Sequence, residues 1–186
     1  MSQPKRTLDL GCGNDKLAGA VGMDSNRASA ADVIHDLDDV PWPFETSSFD
    51  HVRAQDVLEH VDDFIAVVTE LHRVCKNGAT IDVRMPFMSS VNYATDPTHR
   101  RPGTFRTFDY FDPSKDLAKY SYSRAVVRVV RVGYERGYLQ NAAGRFFRRL
   151  DKLALPFIER NSETYEAYFA YVYPVHNVSY QLRVEK

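Results

Sequence analysis

Cysteine is scarce in this chain: two thiols, Cys12 and Cys75, stand among 186 residues. So small a number supplies no disulfide framework and no paired ligand spacing for structural zinc, so a reducing compartment, the cytoplasm, is expected. Long apolar runs are missing as well. No stretch approaches the ~18 residues of a membrane span, and the opening Met-Ser-Gln-Pro-Lys-Arg leads straight into a strand pattern instead of a signal peptide. Internal repeats and low-complexity linkers are absent too. What remains is an ordinary globular composition, 44% hydrophobic and 26% charged. The length favours one domain that buries roughly 70% of its unfolded surface.

The net charge of −1 conceals an imbalance. Residues 1–96 carry 8 lysines and arginines against 16 acids, whereas residues 97–160 carry 14 against 6. The acid-rich part suits a ligand that bears positive charge, and the basic part suits an anionic one. A pI near 6.6 argues against a nucleic-acid partner.

Short buried strands are expected over residues 7–10, 20–23, 32–35 and 50–54, the last one preceded by the Pro41-Trp42-Pro43-Phe44 loop. Phe64, Val67, Val68, Leu71 and Cys75 fall at helical spacing, so residues 64–75 read as an amphipathic helix. Asn77-Gly78 stops it, and residues 79–85 form a fifth strand closed by Pro86. Strands separated by turns and helices make a parallel sheet, whose ligands bind beyond the carboxyl ends of its strands. Those ends carry Gly11-Cys12-Gly13, Asp24-Ser25, Asp36-Leu37, Gln55-Asp56 and Pro86-Phe87. Residues 87–123 read as a long aromatic-rich loop with a short helix around 113–119. Residues 125–132 alternate as a strand, and 145–158 form a basic amphipathic helix, with Phe146, Leu150, Leu153 and Phe157 on its apolar face. Residues 165–173 are ambiguous between strand and helix, and 178–184 form a final strand.

The turn Gly11-Cys12-Gly13 does not complete a dinucleotide fingerprint. Lys16 stands where a third glycine is wanted, and the eight residues between Gly13 and Gly22 leave no room for a crossover helix. A ligand without phosphates fits better. Asp9-Leu10-Gly11-Cys12-Gly13 is followed by Gly22-Met23-Asp24 and Asp36-Leu37. Phe49-Asp50-His51-Val52 then leads into Val57-Leu58-Glu59-His60-Val61. In this order, over residues 7–86, the series resembles the class I S-adenosylmethionine-dependent methyltransferases.

That resemblance implies a Rossmann-like α/β fold, with a mostly parallel central sheet and an antiparallel last strand. It implies a single domain over residues 1–186, with a substrate-covering segment at about 87–123 and a helical insertion at about 140–162. It further implies S-adenosyl-L-methionine as cofactor. The backbone of Gly11, Cys12 and Gly13 would pack on the methionine portion, with Asp9 orienting its amino group. Asp24, followed by Ser25, would accept the ribose hydroxyls, Asp36 would receive the adenine amino group, and Leu37 would cover the ring. Gln55 and Leu58 would line the sulfonium side. Carboxylates tolerate a sulfonium and would repel a phosphate.

Many members of the family cover the site with helices before the first strand. Here the acceptor pocket is expected from residues 87–123 and the basic helix instead. Asp96-Pro97-Thr98-His99-Arg100-Arg101-Pro102 offers a base candidate in His99, oriented by Asp96, with His60 as a second candidate on a short helix after the fourth strand. Asp96, His99 and His60 have metal-ligand chemistry, yet no spacing demands a metal and none is expected. Tyr93, Phe105, Phe108, Tyr110 and Phe111 could wall an organic substrate, or anchor the loop to the core. Arg100, Arg101 and Arg106 could clamp an anionic group. The expected activity is methyl transfer to oxygen or nitrogen of a small, anionic molecule. RNA or protein methylation and cofactor binding without turnover are the rivals; the oligomeric state stays open.

Overall fold

A computed structural model describes residues 5–137 and 141–186. The opening Met-Ser-Gln-Pro and the first residue of the expected insertion, at 140, lie outside the described residues. The chain runs β1 (Thr7–Leu10), β2 (Val21–Asp24), β3 (Val33–Ile34), β4 (Phe49–Gln55), α1 (Phe64–Val74), β5 (Cys75–Pro86) and α2 (Val91–Thr95). After two 3-10 turns, Asp109–Phe111 and Asp116–Tyr120, follow β6 (Val126–Glu135), α3 (Ala142–Arg160), α4 (Ser162–Tyr168) and β7 (Asn177–Glu185). The seven strands form one sheet in the order β3-β2-β1-β4-β5-β7-β6. From β3 to β5 all pairs are parallel, and β7 runs antiparallel to both β5 and β6.

The alternation seen in the sequence sets what each strand buries. Leu8 and Leu10 on β1, Met23 on β2, Val52 and Ala54 on β4, and Ile81, Val83 and Met85 on β5 are all buried in a single apolar cluster. The helix α1 is capped by Asp63, whose carboxylate accepts the Ala66 N–H at 2.9 Å, and it buries Val67, Val68, Leu71 and Val74 against the sheet. Because β1 to β5 all enter from the same side, their carboxyl ends share one edge, which is where the site is built.

Two expectations need correction, and two open points are settled. The strand β5 starts at Cys75, directly where α1 ends, and Gly78 sits inside it with φ of +79°, so Asn77-Gly78 is an irregularity within the strand and not its herald. The segment expected as a helix around 113–119 is 3-10. Residues 162–168 settle as helix. The helix α3 forms as expected but turns its apolar stripe outward: Leu153 is 79% exposed, and Phe146 and Phe157 are exposed with it. It is fastened instead by Ile158, Gly144 and a buried Asp151, whose carboxylate accepts the Tyr173 hydroxyl and lies 3.3 Å from Arg136. The polar anchor sits on the face opposite the hydrophobic stripe, a side that periodicity alone does not choose. Among the described residues, no helix is long and apolar enough to cross a membrane.

Candidate functional site

At the tip of β1 the chain turns through Gly11 at φ of +59°. A Cβ there would lie 2.3 Å from Cγ2 of Val57, so only glycine lets the turn pass under the segment that follows β4. The Gly11 N–H donates to the Met23 carbonyl at 2.8 Å, and Gly13 N–H donates to Asp24 Oδ2 at 2.8 Å. The turn is thus tied to the tip of β2 by the carboxylate that closes that strand.

Gly11, Asp24, Ser25, Asp36 and Leu37, five of the residues expected to hold a cofactor, line one cavity of about 430 Å³ at this edge. Its remaining walls are Asp38, Asp56, Val57, His60, Val61, Asp62 and Arg100. Five carboxylates line it; Asp62 pairs with Arg100 and Asp56 with Arg84, which leaves Asp24, Asp36 and Asp38 to make the cavity a field for positive charge. Asp38 also supports the wall, accepting the N–H groups of Asp62 at 2.9 Å and Asp63 at 3.1 Å.

The other expected cofactor residues lie elsewhere. Asp9 is buried, and its carboxylate takes both Arg53 Nε and a terminal guanidinium nitrogen at 2.7 Å, together with the Leu17 N–H at 2.8 Å. It braces β1 against β4 and does not border the cavity. Cys12 is buried beside Gly22, its thiol pushed up by burial and by the charges of Asp9 and Asp24. Gly13 contributes its N–H to Asp24 and is not among the walls of this cavity. Leu58 points fully into the core. Gln55 borders a different cavity, with Tyr134, Glu135 and Ser179, because β4's alternation puts it on the other side of the strand tip from Ala54.

A second cavity, of about 300 Å³, adjoins the first: Asp56 and His60 line both. Glu59, Pro86, Asn92, Asp96, His99 and Asn177 complete it. His60 stands on a turn, not on the short helix expected there. Its ring centroid lies 4.7 Å from that of His99. The expected His99–Asp96 pair is not hydrogen-bonded, since Nε2 and the carboxylate are 4.0 Å apart. Asp96 instead accepts the Thr98 hydroxyl at 2.6 Å, and that oxygen lies 2.9 Å from His60 Nδ1. With its own proton given to Asp96, the hydroxyl can only accept, so Nδ1 of His60 carries the proton. His99 Nδ1 lies 3.1 Å from the Tyr93 carbonyl, which again requires an N–H. In the neutral rings both Nε2 atoms are therefore left with a free lone pair. Burial, with His99 alongside, holds His60 below the usual imidazole value, and the Thr98 hydrogen bonds hold Asp96 low.

Glu59 was not singled out by the sequence. It is 0% exposed, neither carboxylate oxygen has a hydrogen-bond partner, and burial pushes its carboxyl up to about 8. An acid embedded in the apolar stretch 57–61 is the signal that could have found it. Glu59, His60 and His99 each offer one ligand atom, and these atoms lie within 4.8 Å of one another. Thr98 was also missed, as hydroxyls in turns are usually only caps.

The expected clamp and wall are mostly structural. Arg101 donates to the backbone carbonyls of Val61 at 2.5 Å and Asp62 at 3.0 Å, with Leu58 at 3.5 Å. Arg106 pairs with Asp109 and Asp116. Arg100, which pairs with Asp62 at 2.5 Å, is the guanidinium bordering the first cavity. Phe108 and Phe111 are buried against Phe64, anchoring the loop to the core, while Tyr93 stacks beside His99 with 6.1 Å between centroids.

Residues 8–81 match the family described as methyltransferase domain. No curated protein matches the chain in sequence. Solved structures match it over nearly its whole length. A SAM-dependent methyltransferase from Archaeoglobus fulgidus is 15% identical, with a TM-score of 0.57, over 97% of this chain and 86% of that one. Phosphoethanolamine N-methyltransferase 2 of Haemonchus contortus, in complex with phosphomonomethylethanolamine and S-adenosylhomocysteine, is 17% identical with a TM-score of 0.55. That match takes in 100% of this chain but about half, 49%, of the nematode enzyme. The [4+2]-cyclase SpnF is 15% identical with a TM-score of 0.55, over 100% of this chain and 77% of that one. At such identities the likeness is one of fold.

Proposed function

We propose that the chain methylates an oxygen or nitrogen of a small, anionic molecule, since residues 8–81 match a methyltransferase-domain family and the fold is that of the class I S-adenosylmethionine-dependent methyltransferases. The observation that carries this reading is the shared wall: the carboxylate-lined cavity at the strand tips and the imidazole-lined cavity beside it meet at Asp56 and His60.

The donor set fits the cofactor. Asp24 offers a carboxylate to a diol, Asp36 and Leu37 stand where a nucleobase would lie, and Gly11 keeps the turn free of a side chain. The acidic lining suits a sulfonium and disfavours a diphosphate. When bound, S-adenosylmethionine supplies an electrophilic methyl group and departs as a neutral thioether. The protein's task is then to hold the acceptor in line and keep water out. We assign acceptor binding to the second cavity, where His60 and His99 face the reacting atom and the acceptor's proton is lost; Asp96, through Thr98, orients His60. Residues 87–123 cover that side, and the cation offered to an anionic acceptor is Arg100, which borders the adjoining cofactor cavity and would leave Asp62 to meet it. The phosphorylated amine held by the nematode enzyme has the same chemical character. The two buried, unbridged cysteines suit the cytoplasm.

Calorimetric titration with S-adenosylhomocysteine tests the reading. Asp24→Ala is expected to weaken binding by about 30-fold or more, the loss of charge-assisted hydrogen bonds to two hydroxyls. Unchanged affinity would remove the ribose assignment, and tighter binding of NADH than of S-adenosylhomocysteine would overturn the reading as a whole.

A further inference from the structure

We propose that Glu59, His60 and His99 hold a divalent first-row transition-metal ion, of the zinc type, in the cavity next to the cofactor cleft. Three observations support it independently of any sequence spacing. Glu59 is a fully buried carboxylate with neither oxygen hydrogen-bonded, and His99 Nε2 at 3.9 Å is too distant to serve. A carboxylate stripped of water and left without partners is costly unless a cation or a proton compensates it. It lines the cavity together with both imidazoles, so a cation there would meet it directly.

The two histidines are also dressed as ligands are. Metal-bound imidazoles commonly give their second ring N–H to a carboxylate or a backbone carbonyl, which fixes the tautomer and aims the free nitrogen. His99 uses Nδ1 on the Tyr93 carbonyl, and His60 uses Nδ1 on Thr98, which passes the contact to Asp96. Both Nε2 lone pairs are thereby left for one object. Third, the ligand atoms lie within 4.8 Å of one another, whereas ligands of a tetrahedral ion with bonds of about 2.0–2.2 Å sit ~3.3 Å apart. Loading draws the three together by side-chain rotation.

Two nitrogens and one oxygen select zinc, cobalt, iron or manganese over magnesium and calcium, which prefer all-oxygen shells. Three protein ligands leave a coordination position open toward the rest of the cavity, the pattern of a catalytic rather than a structural site. With the ion bound, His60 and His99 serve as its ligands and not as the base, and an acceptor oxygen at the open position would give up its more acidic proton to solvent. This use of the ion rests on the methyl-transfer reading; the site itself does not.

The 186-residue chain, stripped with a chelator and titrated with Co²⁺ and with Zn²⁺, provides the test. One equivalent of Co²⁺ per chain is expected, with visible absorption bands that Zn²⁺ displaces. Glu59→Gln and His99→Ala should each weaken Zn²⁺ binding at least tenfold, and Asp96→Asn, a positioning change, by about tenfold. No stoichiometric uptake by the wild type, or uptake unaffected by Glu59→Gln and His99→Ala, would overturn the proposal. The wild-type stoichiometry decides even where a variant fails to fold. S-adenosylhomocysteine calorimetry on the same stripped protein separates the two claims. Cofactor binding without metal uptake defeats the ion alone, and metal uptake without cofactor binding supports the ion while defeating the methyl-transfer reading.

Discussion

Residues 1–96 and residues 97–160 carry opposite charge, but they use it differently. In the first region several acids are matched: Asp9 with Arg53, Asp32 with Lys16, Asp50 with Lys76 and Glu70 with Arg73. At the strand tips Asp24, Asp36 and Asp38 line one cavity together with Asp56, which pairs with Arg84, and Asp62, which pairs with Arg100. In the second region several cations are spent on holding the fold together. Arg106 pairs with Asp109 and Asp116, Arg128 with Asp112 and Glu185, Arg131 with Glu159, Arg136 with Asp151, and Arg101 with backbone carbonyls. The acid excess therefore builds a field, whereas much of the basic excess builds a scaffold. A charge count becomes a statement about ligands only after the pairing is known.

That contrast can be broken or sharpened by substitution. The largest effect is expected at the strand tips: Gly11→Ala puts a methyl group against Val57 in a left-handed conformation, which should cost ~3 kcal/mol and lower the melting temperature by roughly 10 °C. Thermal unfolding followed by circular dichroism would measure it, and a loss under 1 kcal/mol would mean the turn can move away. Next comes the scaffold. Arg101→Ala should destabilise by about 2 kcal/mol in urea titration while S-adenosylhomocysteine affinity changes less than about threefold. A large affinity loss at unchanged stability would put this guanidinium among the ligand-binding groups instead.

A smaller effect concerns Glu166, which accepts the Phe105 N–H at 2.6 Å and the Tyr134 hydroxyl at 3.0 Å and whose carboxyl is pushed up to about 7 by burial. Between its ordinary value of 4.5 and about 7 the folded state binds more protons than the unfolded one, so stability falls as pH rises through that window. Glu166→Gln keeps the acceptor oxygen and removes the slope. The variant should gain on the order of 1 kcal/mol at pH 8, allowing for partial exposure, and nothing near pH 4. Melting temperatures at the two pH values check this, and a pH-independent difference would refute it. The smallest effect is expected on α3, where Leu153→Ser should alter stability by less than about 0.5 kcal/mol. A loss of 2 kcal/mol or more would show that the stripe is covered after all.

Much of the architecture was legible because it rests on local rules. Alternating apolar residues gave β1, β2 and β4 nearly to the residue and the later part of β5, and helical spacing gave α1. The strand-tip residues Asp24, Asp36 and Leu37 follow from that topology, since a parallel sheet sends every carboxyl end to one edge. What escaped depends on contacts distant in sequence. The roles of Asp9 and Arg101 are set by partners 44 and 40 residues away, and the Asp96–Thr98–His60 chain spans 38. The outward stripe of α3 escaped because an amphipathic pattern reveals that two faces differ, not which one the domain takes.

The grip of Arg101 on the carbonyls of Val61 and Asp62 joins the loop after α2 to the turn that bears His60. Two stretches forty residues apart thus behave as one mechanical piece. Anyone regrafting that loop to admit another molecule would drag the imidazole along with it. Pocket exchange in this scaffold must retain the guanidinium or rebuild both stretches as a unit.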